Sequence, residues 1–148
     1  MAFSRAMKYE DWTVGESFDT PRRTVTEADI VNFAGISGDF NSVHMDDVFG
    51  KSTAYGGRIA HGALVFSIST GLCYAAGIIE GVNMVFLGAE LKWTAPVRAN
   101  DTIFVRLTPY EKRLTKNPAR GIIKAKVQVI NQEGAVAMDM DWSWIMDV

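Results

Sequence analysis

The chain has a single cysteine, Cys73, in 148 residues. One thiol closes no internal disulfide and forms no Cys-x-x-Cys metal pair, which excludes a disulfide-framed fold and points to a reducing compartment, the cytoplasm. Charge of one sign is also missing. There are 15 Lys and Arg against 17 Asp and Glu, a net charge of −2, and no long basic run. The electrostatic footprint of a nucleic-acid binder is therefore absent. The first residues, "MAFSRAMKYEDW", lack the apolar stretch of a signal peptide. No repeat, linker or low-complexity segment interrupts the chain. What is present is 48% hydrophobic and 22% charged residues, the balance of a globular protein. A chain of this length buries roughly 68–70% of its unfolded surface. One domain over residues 1–148 is expected.

From Gly62 to Ile79 no charged residue occurs. That run reaches the lower edge of a membrane helix. It is rich in Gly, Ala, Ser and Thr, and the strands that follow alternate like those of a soluble sheet. A helix from His61 to about Glu80, buried at the centre of the fold, is the better reading. The alternating strands are "NMVFLGAELKW", with Val85, Leu87, Ala89, Leu91 and Trp93 on one face; "DTIFVRL", with Ile103, Val105 and Leu107; "GIIKAKVQVIN", with Ile123, Ala125, Val127 and Val129; and "AVAMDMDWSWIM", with Val136, Met138, Met140, Trp142, Trp144 and Met146. Period two of this quality marks half-buried antiparallel strands. "NQEG", from Asn131, reads as a hairpin turn. Nearer the N-terminus, Glu16 to Val25 reads as a strand broken at Pro21. Thr26 and Asp29 form a capping box for a short helix with Ile30, Phe33 and Ala34 on one face. The expected fold is α+β: a curved antiparallel sheet wrapped around one long helix. A helix apolar on nearly every side calls for a second copy to complete its burial, hence a homodimer.

The stretch "SGDFNSVHMDD" crowds Asp39, Asn41, His44, Asp46 and Asp47 together, and holds one of only two histidines. Such residues often make no more than a solvated turn. A calcium loop fails: Val43 stands at its fifth position and Gly50 at its twelfth. A zinc site built from His44, His61 and an Asp has neither His-Glu-x-x-His spacing nor a cysteine ligand. Asp39 and His44 do suit acid–base work near neutral pH, with Asn41 in support. The other histidine, His61, opens the long helix. There the amides of His61, Gly62 and Ala63 lack intrahelical partners, at the positive end of the dipole, and suit a developing oxyanion.

"GISGDFNSVHMDD" followed by "YGGRIAHGALVFSIS" resembles the MaoC-like, R-specific enoyl-CoA hydratase and dehydratase family. Gly38, Asp39, Asn41 and His44 match its Gly-Asp-x-Asn-Pro-x-His motif, and Ile59, His61 and Gly62 match its Ile-x-His-Gly segment. Ser42 stands where the family has proline. The resemblance implies a hot-dog fold, a homodimer or an assembly of dimers, and an acyl-CoA substrate. It implies Asp39 and His44 as the catalytic pair, Gly62 as the oxyanion donor, and Asn41, His61 and Ser67 in support. Neither metal nor redox cofactor is implied. The helix serine Ser67 reads equally well as a residue bonded to its own backbone. Lys112, Arg113, Lys116 and Arg120 form a basic cluster; a solvated hairpin end is the simpler reading, and contact with the phosphates of coenzyme A the sharper one. An acyl-CoA thioesterase and a non-catalytic acyl-CoA-binding subunit are the rival functions.

Overall fold

The structure is a computed structural model and describes residues 7–148. Two short strands, β1 (Phe18–Asp19) and β2 (Arg23–Thr24), lead into helix α1 (Glu27–Ser37). Two short helices follow, α2 (Ser42–Met45) and α3 (Asp47–Ser52), then the central helix α4 (Gly62–Ala75). The chain ends in four long strands: β3 (Met84–Trp93), β4 (Thr102–Leu114), β5 (Arg120–Ile130) and β6 (Val136–Asp147). They pair antiparallel in the order β1-β4-β5-β6-β3, with β2 also on β4. This is the hot-dog arrangement: one helix laid in an antiparallel sheet.

Period two selects the buried face. Ile103, Val105, Leu107, Ile123, Ala125, Val127 and Val129 are all buried, as are Met138, Met140, Trp142, Trp144 and Met146 on β6. They share one core with Leu64, Val65, Ile68, Leu72 and Cys73 of α4. The β5–β6 turn is held by the Asn131 side chain, which accepts from the amides of Glu133 and Ala135.

Two elements differ from the sequence reading. The central helix stops at Ala75, short of Glu80. Gly77 takes a left-handed φ of 75°. The Ile78 amide donates to the Cys73 carbonyl and the Gly77 amide to that of Tyr74. That is a Schellman stop, which glycine permits at no steric cost. Among the described residues no helix is long and apolar enough to cross a membrane. The second difference lies in β3. Phe86 pairs with Trp144, but the next pair is Gly88 with Ser143, leaving Leu87 as a bulge. An extra residue inverts the alternation. Ala89, Leu91 and Trp93 share the face of Trp142, Met140 and Met138, as expected, but before the bulge it is Phe86 that lies on the helix side with Trp144, in place of Val85. Among the described residues β3 is also an open edge of the sheet, and Val85, Phe86 and Leu87 are exposed.

Candidate active site

The polar stretch is positioned by caps at each bend. Thr26 and Asp29 form the expected capping box at the start of α1, with Arg23 bonded to Asp29 at 2.5 Å. At its other end Gly38 adopts φ 77° and donates its amide to Ala34, which turns the chain sharply into Asp39. Asp39 then accepts from the Asn41 amide at 3.2 Å. The Asn41 side chain caps α2 by accepting from the Val43 amide at 3.2 Å. Helix α2 carries His44. The Asp46 side chain caps α3 through the amides of Val48 and Phe49. Asp47 pairs with Arg58 at 2.6 Å. Asp46 and Asp47 thus both have structural partners.

Asp39 and His44 come together. The His44 ring is buried, and its Nδ1 lies 2.8 Å from the Ile59 carbonyl. A carbonyl only accepts, so Nδ1 carries a proton, and in the neutral imidazole Nε2 is then the acceptor nitrogen. That Nε2 faces Asp39 Oδ2 at 3.9 Å, with the Asp39 side chain 52% exposed. The gap is too wide for a direct hydrogen bond. It is a span that one water molecule bridges with bonds of about 2.8 Å to each side.

His61 takes the place behind them. It is 2% exposed, and its Nε2 donates to the Asp39 carbonyl at 2.8 Å. Its ring stacks on His44 with centroids 3.9 Å apart and an angle of 29°, and Phe33 packs against its other surroundings at 5.1 Å. His61 therefore supports the backbone of Asp39 and the ring of His44 together. Donor atoms of Asp39, His44 and His61 lie within 4.8 Å of one another, the span of a metal site. Ring nitrogens bind a metal in the plane of the ring, at about 2.0–2.1 Å. Two stacked rings have nearly parallel planes that meet well beyond that reach, so the arrangement does not suit one ion shared by both histidines.

Gly62 begins α4. The first backbone bond of that helix runs from the Val65 amide to the His61 carbonyl at 3.1 Å. The amides of Gly62, Ala63 and Leu64 precede it and are left for a ligand. A Cβ on Gly62 would overlap the Trp93 indole, so the residue is glycine because the end of β3 presses on it. His44, Gly62, Val65, Tyr55, Trp93 and Met138 line a cavity of about 540 Å³ at this point. One wall thus carries the imidazole, another the free helix amides, and the remainder is mostly apolar. Met138 is both core and cavity wall. Tyr55 and Trp93 face the cavity, Phe66 packs instead on Phe86 and Trp142, and Phe40 and Phe49 are exposed.

Two candidates are not brought to this cavity. Ser67 donates its hydroxyl to the Ala63 carbonyl at 2.8 Å, on the outer face of α4. The basic cluster sits at the β4–β5 hairpin, beside Met84 and Met146 in register, whereas the cavity lies at the Trp93 end. The length of β3 separates them, roughly 30 Å at about 3.3 Å per residue. Lys112 donates to the Trp12 carbonyl, Arg113 pairs with Glu111, and Arg120 pairs with Asp147. These three cations have partners within the chain, and none of the cluster lines this cavity.

A family model described as "MaoC like domain" matches residues 10–131. Protein MaoC of Klebsiella aerogenes is 43% identical over 100 residues, 68% of this chain but only 30% of that protein's length. The (R)-specific enoyl-CoA hydratase of Rhodospirillum rubrum is 32% identical over 100 residues, covering 68% of this chain and 67% of that one. Among solved structures, a monoamine oxidase regulatory protein from Archaeoglobus superposes with a TM-score of 0.85 at 31% identity, covering 99% of this chain and 97% of that chain.

Proposed function

We propose that this chain, which belongs to the MaoC-like domain family, hydrates trans-2-enoyl-CoA to (3R)-hydroxyacyl-CoA and catalyses the reverse dehydration. The observation that carries this reading is the 3.9 Å gap between Asp39 Oδ2 and His44 Nε2, in a loop held beside free helix amides. A water in that gap meets two proton acceptors at once. Its oxygen adds at the β carbon of the enoyl thioester, and negative charge moves to the thioester oxygen. The Gly62 amide, at the positive end of α4, receives that oxygen. The proton taken from water is returned at the α carbon, so that water adds across the double bond and no other reactant is consumed. Asn41 supports the pair by capping α2, and His61 by holding the Asp39 carbonyl. No step requires a metal or redox cofactor.

The substrate assigned here follows the named activity of the Rhodospirillum rubrum relative. Loss of the enoyl-thioester absorbance without release of free thiol is the expected result with crotonyl-CoA. Thiol release would establish a thioesterase, and neither change an acyl-CoA-binding subunit. Asp39→Asn and His44→Ala are each expected to lower turnover by about 10²-fold or more. Near-normal hydration in both variants refutes the site.

The active form is a homodimer. The β3 edge presents unpaired backbone together with exposed Val85, Phe86 and Leu87. The outer face of α4 presents Ala63, Ser67 and Gly71, small side chains that allow close approach of a like helix. A second copy covers both.

A further inference from the structure

We infer that Arg58 is a positioning residue that holds His44 in its working geometry, an inference that rests on His44 acting as a catalytic group. The Arg58 side chain is 22% exposed. Its Nε donates to Asp47 Oδ1 at 2.6 Å, and its Nη1 donates both to Glu27 Oε1 at 2.5 Å and to the His44 carbonyl at 3.4 Å. Glu27 lies in the first turn of α1 and Asp47 in the first turn of α3. One guanidinium thus ties together the two helices that flank the catalytic loop and the backbone of the residue between them. Only the planar fork of arginine presents several donors in fixed directions; a lysine offers a single point charge.

The next residue continues the same hold. The Ile59 amide donates to the Val43 carbonyl at 3.2 Å, and the Ile59 carbonyl receives His44 Nδ1 at 2.8 Å. Residues 58 and 59 therefore grip residues 43 and 44 at three points, one of which sets the tautomer of the imidazole. Helix α3 is pressed on the same segment from the other side. A Cβ on Gly50 would lie 2.7 Å from the Arg58 nitrogen and 2.8 Å from the Gly57 carbonyl carbon. The direction in which His44 Nε2 points depends on this clamp. Misplacement of a reacting group by about 1 Å costs up to about 10²-fold in rate.

Arg58→Met is expected to lower kcat about 10-fold or more while KM changes less than about twofold, because Arg58 does not itself line the cavity that binds substrate. Removing Arg58 also leaves two carboxylates without their counter-ion. The triple variant Glu27→Gln, Asp47→Asn, Arg58→Met relieves that repulsion. It is expected to regain the thermal stability of the parent while kcat stays low. Recovery of parental kcat in the triple variant would show that Arg58 only neutralises charge, and would overturn the inference. A readout independent of turnover separates this from failure of the hydratase reading. The chain has two histidines, so ¹⁵N-histidine NMR resolves both rings. The His44 Nδ1 proton should be protected from exchange in the parent and exposed in Arg58→Met and in the triple variant. Unchanged protection overturns the inference whatever the substrate proves to be.

Discussion

Two glycines test how the second copy is seated. Gly35 lies inside α1 and Gly71 inside α4, and at both an added Cβ meets nothing within 4 Å among the described residues. Replacing an exposed helical glycine by alanine stabilises by about 0.8–1.0 kcal/mol, since glycine loses more backbone freedom on folding. For a protein of this size that is a rise in Tm of about 2–4 °C. Gly35→Ala should show it. Gly71→Ala has the same intrinsic gain but sits on the α4 face of the proposed dimer, where a methyl group would meet the partner helix; its Tm should stay level or fall. Gly71→Leu places a larger side chain there, and overpacking of an interface costs about 1–3 kcal/mol, a weakening of about 5- to 150-fold in the dimer constant. Sedimentation equilibrium over a concentration series measures this directly, beside thermal melts at matched concentration. A Gly71→Leu variant that dimerises as tightly as the parent would refute contact through this helix face.

Acid should weaken the α1 start in a traceable way. Burial raises the Asp29 carboxyl, but hydrogen bonds from Thr26 and the Arg23 guanidinium outweigh it and hold the group below the usual carboxylate range. A depressed folded value gives stability that is present above the unfolded value of about 3.9 and is lost as pH falls through the folded one. Asp29→Asn should therefore lose less stability than the parent between about pH 5 and about pH 2 in urea titrations; equal losses would refute the assignment. Burial pushes the Cys73 thiol up to about 12. A thiol reagent at about pH 8 should leave the native chain unlabelled and modify it once unfolded, because the thiolate is the reactive species; rapid native labelling would contradict its place in the core.

Strands β4 to β6 were legible because their burial is one-sided, and one-sided burial writes itself as alternation. β3 was legible only after its bulge. Gly88 in mid-strand is a bulge signal, but nothing in "VFLGAE" tells which neighbour gains the extra place. The helix end was written in Gly77, and the run of uncharged residues past it hid the stop. In the site, the spacing of Asp39 and His44 and the glycine after His61 were visible because the loop and helix that present them are local. Arg58 was not. Its partners Glu27 and Asp47 lie 31 and 11 residues away, and a long-range ion pair leaves no pattern in one sequence. The same holds for Lys112, whose acceptor on Trp12 lies 100 residues away.

The two margins of the sheet are unequal. On one side lies the ten-residue β3; on the other, β1 and β2 offer two residues each, with Pro21 between them. A proline has no amide to donate, and two residues give an incoming strand almost nothing to pair with. Among the described residues β3 is therefore the longer edge open to strand addition. In the proposed pair each β3 is used up by the other, and among the described residues the opposite margin keeps the stretch Thr108–Leu114 of β4 beyond β1 and β2, where Pro109 and the bulge after it disfavour running on into a ribbon.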